Sequence, residues 1–313
     1  MAAIVFISDE ETLRFLPANL RQIKTFGDAD TKVYLITNCE SDNPLLARAV
    51  VIASILNVDL SVITIDVMKF FSNFKSSSNR VPSISLMKLF LGELLPDEEV
   101  ALYLDIDTVI CKSLSTLLNT PISSPVAAVE ELSTNRAYFP LKELPEVYFN
   151  SGIMLLSLDS FRALGISKKA NEILEDTELS SALRSRFMDQ DILNYLFSKT
   201  VTLLPRKYNQ FSSNLAKPKI SPLLDDVAIV QFAGMEKPWN YPRKSKYTKL
   251  WIGDFKASLG AIADGKDLAI IKSRKGFLSP AKLLVPLGLA AEKTQRDVRA
   301  HVPYWLKNLI RGI

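Results

Sequence analysis

Two aspartates, Asp105 and Asp107, stand two positions apart at the end of an apolar run, in the stretch YLDIDTVI. In an extended strand, residues i and i+2 point to the same side, so the two carboxylates share one face. Carboxylates on one face repel each other unless a positive group lies between them. The spacing therefore indicates one of three arrangements: a solvated strand end, the catalytic pair of a phosphatase, or a metal clamp for a nucleotide.

These three interpretations make different demands on the rest of the sequence. A helix is expected directly after the pair, and this with the apolar VALYL before it favours a functional role. A phosphatase of the haloacid-dehalogenase type would use the first aspartate as its nucleophile and Asp225 and Asp226 as its later acidic pair, although that family carries the motif on its first strand. In a metal clamp, Mn²⁺ or Mg²⁺ would join both carboxylates to a diphosphate, because these ions prefer oxygen ligands. The pair alone leaves the last two open.

Strand and helix patterns alternate around the pair. Apolar runs predict strands at IVFIS, KVYLIT, LSVITIDV and VALYLDID, and periodic segments between them predict helices, among them NPLLARAVVIASIL and ISLMKLFLGELLP. This alternation predicts an α/β fold with a mostly parallel central sheet and helices on both faces. Ligands of such sheets bind at the carboxyl ends of the strands, where Asp105 and Asp107 fall.

Four segments occur in a fixed order along the chain: ELLPDEEVALYLDIDTVICKSLSTLL, YFNSGIMLLSL, MDQDILNYLF and VQFAGMEKPW. Together they resemble the retaining glycosyltransferases of family 8, especially bacterial lipopolysaccharide α-galactosyltransferases and α-glucosyltransferases. The resemblance runs from about Ile4 to Trp239. It implies the Rossmann-like GT-A fold and a hexosyltransferase that moves galactose or glucose from a UDP-sugar to a saccharide or lipid-linked acceptor. Mn²⁺, or Mg²⁺ in its place, is the implied cofactor.

The resemblance also implies roles for individual residues. Asp105 and Asp107 would hold the metal, with Asp105 also near hydroxyls of the donor sugar and ribose. The other residues implied to contact the UDP-sugar fall into four groups. Asp9, with Ser8 beside it, would bind the uracil ring, and Gly234 and Lys237 would contact the diphosphate. Asn150 and Ser151 would contact the sugar, and Asp189 and Gln190 would lie near its anomeric carbon. Gln190 is expected to position groups and stabilise charge, because an amide is a poor nucleophile.

The chain departs from the family pattern at two positions. Gln231 stands where the family has the histidine that is its third metal ligand, and the only histidine, His301, lies far along the sequence. A glutamine carbonyl is a neutral oxygen ligand but a weak one for Mn²⁺, so a sugar-nucleotide-binding protein with weakened or lost catalysis stays open as an alternative. Lys88, a further candidate catalytic residue, stands where the family has an arginine facing the donor; lysine keeps the charge but loses the bidentate fork.

The amino-acid composition indicates the class of protein and the cellular compartment. Hydrophobic residues make up 48% and charged residues 23% of the 313 positions, as in ordinary globular proteins. The two cysteines, Cys39 and Cys111, imply no disulfide framework and favour a reducing compartment. No uninterrupted apolar run approaches the ~20 residues that span a bilayer. We therefore predict a cytoplasmic protein.

The distribution of charge predicts two parts, a catalytic domain over residues 1–265 and a basic, amphipathic tail over residues 266–313. From Leu268 onward, nine basic residues face only two acidic ones. After Pro303, YWLKNLIRGI places its apolar side chains on one helical face, which predicts peripheral attachment to the anionic inner face of the membrane. Docking of this helix on the domain is the alternative. Nucleic acid is not expected as a partner, because no recognition motif accompanies the charge.

Overall fold

The computed structural model describes residues 1–70, 84–131, 137, 139–184, 187–215, 226–234, 237–239 and 245–260. The predicted tail, His301 and the boundary at residue 265 lie outside these ranges. Among the helices within them, none has the length and apolar character needed to cross a membrane.

The elements alternate along the chain as strand and helix for most of its described length. The strands are β1 (Ala3–Ser8), β2 (Lys32–Thr37), β3 (Asp59–Thr64), β4 (Val100–Leu104), β5 (Thr108–Ile110), β6 (Val126–Glu130), β7 (Phe149–Ser157), β8 (Thr202–Leu203), β9 (Gln210–Phe211) and β10 (Ile229–Gln231). The α-helices are α1 (Glu10–Leu13), α2 (Leu16–Phe26), α3 (Pro44–Leu56), α4 (Val67–Phe70), α5 (Leu91–Leu94), α6 (Ser115–Leu118), α7 (Leu158–Ala163), α8 (Ile166–Glu175), α9 (Thr177–Leu183), α10 (Asp189–Phe197), α11 (Ser212–Leu215) and α12 (Lys246–Gly260). Within the described residues, 3-10 helices cover Ile84–Phe90 and Arg206–Tyr208.

A seven-stranded sheet forms the centre, in the order β3-β2-β1-β4-β7-β6-β8. The first four strands in this order are parallel, and β6 and β8 are also parallel, whereas β7 runs antiparallel to both of its neighbours. A smaller sheet has the order β5-β10-β9. Because β7 is antiparallel, it begins at the edge where β1 and β4 end.

Helices cover both faces of the central sheet because its strands are apolar on both sides. On one face, Ile4 and Phe6 of β1 belong to a core with residues of α2, α3 and α12. On the other, Val5 and Ile7 belong to a core with residues of α7, α8, α10 and the first 3-10 helix. Local signals set the helix ends, as in α3, where the Asn43 side chain accepts a hydrogen bond from Leu45 N. The predicted α/β architecture is thus confirmed.

The helix predicted directly after Asp107 is wrong. The chain continues as β5, whose β-branched residues Thr108, Val109 and Ile110 are buried and pair antiparallel with β10. Such residues fit a pleated, buried surface better than a helix. The pairing places Gln231 opposite Thr108, so β10 brings this glutamine next to the aspartate pair.

Candidate active site

The candidate residues lie around the carboxyl end of β4. Asp105 follows the last residue of β4, and its backbone N–H donates to the carbonyl oxygen of Gly152 in β7 at 2.8 Å. Asn150 and Ser151 precede Gly152 at the start of the same strand. The antiparallel direction of β7 therefore brings an Asn-Ser-Gly sequence beside an Asp-x-Asp sequence that lies 45 positions earlier.

Asp105 accepts hydrogen bonds on both carboxylate oxygens. Tyr103 donates its hydroxyl to Oδ1 at 2.6 Å, and Lys88 Nζ lies 3.4 Å from the same oxygen. Gln231 donates Nε2 to Oδ2 at 2.9 Å. The side chain of Asp105 is still 30% exposed, so this carboxylate is fixed in orientation and remains accessible from solvent.

Lys88 joins the aspartate pair to the start of α10. Its ammonium group is buried, lies 2.7 Å from Asp189 Oδ2 and donates to the Ser151 carbonyl oxygen at 3.2 Å. Burial lowers the pKa of Lys88, but the carboxylates of Asp105 and Asp189 outweigh that effect, so its pKa lies above the usual lysine value. Lys88 therefore stays charged and holds two carboxylates together.

Asp107 is buried and forms an ion pair with Lys237 through Oδ2. Within the described ranges, its other oxygen, Oδ1, is buried without a hydrogen-bond partner. Burial raises the pKa of Asp107 to about 6; Asp105 adds to the rise, and Lys237 opposes it. A buried carboxylate oxygen without a partner is uncommon in a folded protein and indicates a site for a ligand.

Gln231, the last residue of β10, completes this cluster. Its side chain is buried, and while Nε2 bonds to Asp105, Oε1 has no hydrogen-bond partner among the described residues. Gly152 makes room for it, because a Cβ atom on residue 152 would lie 2.0 Å from Gln231 Nε2 and 2.6 Å from Asp105 Oδ2. The glycine thus allows the backbone of β7 to approach these two side chains closely.

Gln190, in the first turn of α10, has all four hydrogen-bonding positions of its amide occupied. Oε1 accepts from Asn150 Nδ2 and from the backbone N–H of Ser151, both at 3.1 Å. Nε2 donates to Glu131 Oε2 at 2.9 Å and to the Tyr148 hydroxyl at 3.1 Å. A side chain held on four sides has a fixed orientation, so Gln190 can act as a rigid support.

Residues 30–242 match the family model described as Glycosyl transferase family 8. The match spans more than half of the chain. The chain belongs to glycosyl transferase family 8. The resemblance seen in the sequence is therefore confirmed at the level of the family.

Curated relatives of this family 8 member include a lipopolysaccharide glucosyltransferase and a lipopolysaccharide galactosyltransferase. Lipopolysaccharide 1,2-glucosyltransferase of Escherichia coli K12 is 28% identical over 213 residues, which are 62% of this chain and 59% of the relative. Lipopolysaccharide 1,3-galactosyltransferase of Salmonella typhimurium is 34% identical over 149 residues, 44% of each chain. The matches thus span about half of the length of these relatives.

Solved structures confirm the fold of this family 8 chain. The crystal structure of galactosyltransferase LgtC in complex with donor and acceptor sugar analogs has a TM-score of 0.66 and 24% identity, covering 82% of this chain and 95% of that chain. This likeness confirms the predicted GT-A fold.

Among the predicted site residues of the family 8 chain, Ser8, Asp9 and Gly234 have no hydrogen bond or ion pair with the cluster around Asp105 within the described part. Asp9 caps α1, because its Oδ1 accepts from Thr12 N at 2.9 Å and Thr12 Oγ1 at 2.7 Å, and Ser8 Oγ lies 2.8 Å from the same hydroxyl. Both lie at the end of β1, the strand beside β4. Gly234 has a φ of 83°, which other residues rarely adopt.

Four residues of this network were missed in the sequence: Tyr103, Glu131, Tyr148 and Asn209. Tyr103 could have been found, since it lies two positions before Asp105 in the segment that was predicted as one strand. Glu131 and Tyr148 flank strands that meet only in the folded sheet, and Asn209, which donates to Asn150 Oδ1 at 2.8 Å, stands in a segment without a pattern. Only the tertiary structure brings these three to Gln190 and Asn150.

The oxygens of this cluster fit a divalent cation. Asp107 Oδ1 and Gln231 Oε1 are buried and unpartnered in the described part of the chain, and Asp105 is accessible from solvent. Carboxylate and amide oxygens are ligands that Mn²⁺ and Mg²⁺ accept. The described residues contain no group of three or more His, Cys, Asp or Glu side chains that could hold a metal. At this cluster, the described residues offer two carboxylates and one amide as ligands.

The segment that carries Lys237 is held by aromatic stacking. The ring of Trp239 lies parallel to that of Phe15 at a centroid distance of 4.0 Å and contacts Trp251 of α12 at 5.8 Å. An aromatic pair of this kind contributes about 1 kcal/mol beyond its buried area. Only Pro238 separates Lys237 from Trp239, so stacking restricts where the ammonium group lies.

Trp239→Ala is expected to weaken the binding of UDP by about five- to tenfold, because the loss of about 1 kcal/mol of stacking lets the Lys237 segment move. Isothermal titration calorimetry with UDP measures the change. Trp239→Phe keeps a stacking ring and serves as the matched control, with affinity within about twofold of the parent. Equal UDP affinity in the alanine variant would contradict the anchoring role.

Proposed function

We propose that this chain is a retaining hexosyltransferase that transfers galactose or glucose from a UDP-sugar to a saccharide or lipid-linked acceptor. The observation that carries the proposal is the meeting of Asp105, Asp107, Gln231 and Lys237 at the carboxyl end of β4 in a family 8 chain. Two carboxylates with an unpartnered oxygen, beside a lysine, suit a cation and a diphosphate. The Escherichia coli and Salmonella relatives, a glucosyltransferase and a galactosyltransferase, support a hexose.

In this proposal one group of residues binds the UDP leaving group and another binds the sugar. Asp105, Asp107 and Gln231 would hold the cation, which when bound neutralises charge on the departing diphosphate. Lys237 binds the phosphate oxygens as a point charge, with Gly234 nearby in the same segment. Ser8 and Asp9, at the end of β1, bind the nucleoside. Transfer with retention places the attacking hydroxyl on the face that UDP leaves.

The sugar lies against the group formed by Asn150, Ser151, Asp189 and Lys88. Asp189 and Ser151 bind its hydroxyls, and Lys88 keeps the two carboxylates beside it in position. Positive charge develops on the sugar as UDP departs, and fixed carboxylate and amide oxygens stabilise it. Gln190 acts as a support in this step, because both lone-pair directions of its oxygen already accept hydrogen bonds.

The first test is the release of UDP from UDP-galactose and from UDP-glucose with Mn²⁺, with Mg²⁺ and with EDTA. We expect slow hydrolysis of one donor, with EDTA lowering the rate at least about tenfold, because an unneutralised diphosphate is a poor leaving group. The preferred donor identifies the sugar. No release from either donor, with or without added saccharide acceptors, would contradict the proposal.

One observation favours the alternative of a binding protein with lost catalysis: Gln231 replaces a histidine, and its N–H, not its oxygen, faces Asp105. That alternative predicts UDP binding without release of UDP from any donor. Among the described residues no contact supports the phosphatase interpretation, because Asp226 has a side chain that is 71% exposed and pairs with Lys112 and Lys207. Asp225 lies outside the described ranges. Asp226→Asn should therefore leave UDP release unchanged.

The predicted membrane attachment remains part of the proposal, since residues 266–313 lie outside the described ranges. The predicted cytoplasmic location is also part of the proposal.

A further inference from the structure

We propose that Lys237 and Gln231 together close the aspartate pair against free divalent cations, and that the diphosphate of the nucleotide opens it. Cation and diphosphate would then bind as one cooperative unit. This inference rests on the proposed function, since it concerns how the same site is loaded. It follows from the positions of two hydrogen-bond donors at the carboxylates.

Lys237 occupies the place of a counter-ion at Asp107. Its ammonium group bonds to Asp107 Oδ2 and donates to the Phe232 carbonyl oxygen at 3.1 Å, while its side chain is 28% exposed. A cation that binds Asp107 meets this positive charge at a buried carboxylate, where repulsion is only weakly screened. Lys237 must therefore move before the pair can accept a second positive group.

Gln231 blocks the carboxylate of Asp105 by a hydrogen bond rather than by charge. Its Nε2 donates to Asp105 Oδ2, so the amide presents a donor where a metal ligand must present an acceptor. Half a turn of the amide exchanges Nε2 for Oε1, the buried oxygen that has no partner among the described residues. This exchange breaks the hydrogen bond to Asp105, and it is favourable only when a cation replaces it.

A nucleoside diphosphate can replace Asp107 as the negatively charged partner of Lys237. Moving the ammonium group away from Asp107 leaves it without its carboxylate partner, and phosphate oxygens provide a new one. The diphosphate also adds oxygens to a cation that otherwise has two carboxylates and an amide. Because coupling between two ligands is reciprocal, each should raise the affinity of the other by the same factor.

Electron paramagnetic resonance of free Mn²⁺ measures this coupling directly, without turnover. For the parent chain we expect weak binding of Mn²⁺ alone and an affinity at least about tenfold higher with saturating UDP. Lys237→Met keeps the length of the side chain and removes its charge. It should bind Mn²⁺ alone about tenfold more tightly than the parent, with a smaller gain on addition of UDP.

Lys112→Met is the matched control. Lys112 is 47% exposed and pairs with the exposed Asp226, whereas the ion pair of Asp107 is with Lys237. This change therefore removes the same charge and should leave Mn²⁺ affinity within about twofold. Equal gains in the two variants would overturn the inference, since the effect would then be one of net charge. If folded Lys237→Met has the same Mn²⁺ affinity as the parent chain, the inference is also overturned. The same holds if UDP does not change the Mn²⁺ affinity of the parent chain.

These outcomes differ from failure of the proposed function. That function fails when no donor releases UDP, whereas the inference is decided by the binding of Mn²⁺ to the parent and the two variants. Circular dichroism melting curves establish that each variant is folded. Lys237→Gln provides a second uncharged variant if the methionine variant does not fold.

Discussion

Lys88→Met is expected to lower the free energy of unfolding by about 3–5 kcal/mol, the usual cost of removing one partner from a buried ion pair. The ammonium group of Lys88 lies within 3.4 Å of Asp105 and 2.7 Å of Asp189. Without it, two carboxylates face each other at the centre of the site with no cation between them. Asp105 is partly exposed and keeps some hydration, so the lower end of the range is the better estimate.

Urea denaturation followed by circular dichroism measures this loss. The double variant Lys88→Met with Asp189→Asn should recover part of the stability, since one of the two unpaired charges is gone. Lys88→Arg keeps the charge and should lose less than Lys88→Met. A loss below about 1 kcal/mol in the single variant would show that the pair is hydrated rather than held by Lys88.

The fold could be predicted because its signals are local. The strands β1 and β2 and the helix α3 each carry their own apolar pattern, and α3 has a cap and a proline at its start. The short strand β5 could not be found in this way. Three residues are too few for a periodic pattern, and they are extended because β10, more than 110 positions later, pairs with them.

In the candidate site, too, features that depend on local sequence could be predicted and those that depend on tertiary contacts could not. Asp105 and Asp107 could be identified as a pair from their spacing, but the predicted strand VALYLDID ends at Leu104. The two aspartates lie in the link between β4 and β5 rather than on one strand face. The partner of each oxygen could not be predicted, because Lys88, Gln231 and Lys237 reach the pair from other elements. The saturation of the Gln190 amide likewise depends on Glu131 and Tyr148, which no local pattern links to α10.

Gly152→Ala is expected to reduce the rate of UDP release by at least about 100-fold, because a misplacement of about 1 Å at a site can have an effect of that size. The added Cβ would lie 2.0 Å from Gln231 Nε2 and 2.6 Å from Asp105 Oδ2. Both are ends of side chains, so they can shift and the chain can fold, at a cost of about 1–3 kcal/mol. The shift separates the two groups that would hold the cation.

Steady-state UDP release and melting curves, measured on the same samples, separate the two effects. Gly253→Ala is the matched control: Gly253 lies in α12 with open space around its Cβ position, so this change should stabilise the helix slightly and leave the rate unchanged. Gly152→Ala combined with Gln231→Ala restores space and should regain stability, but not activity, since one ligand is then missing. Recovery of the rate in that double variant would show that Gln231 takes no part in the reaction, and that Gly152 matters only for packing.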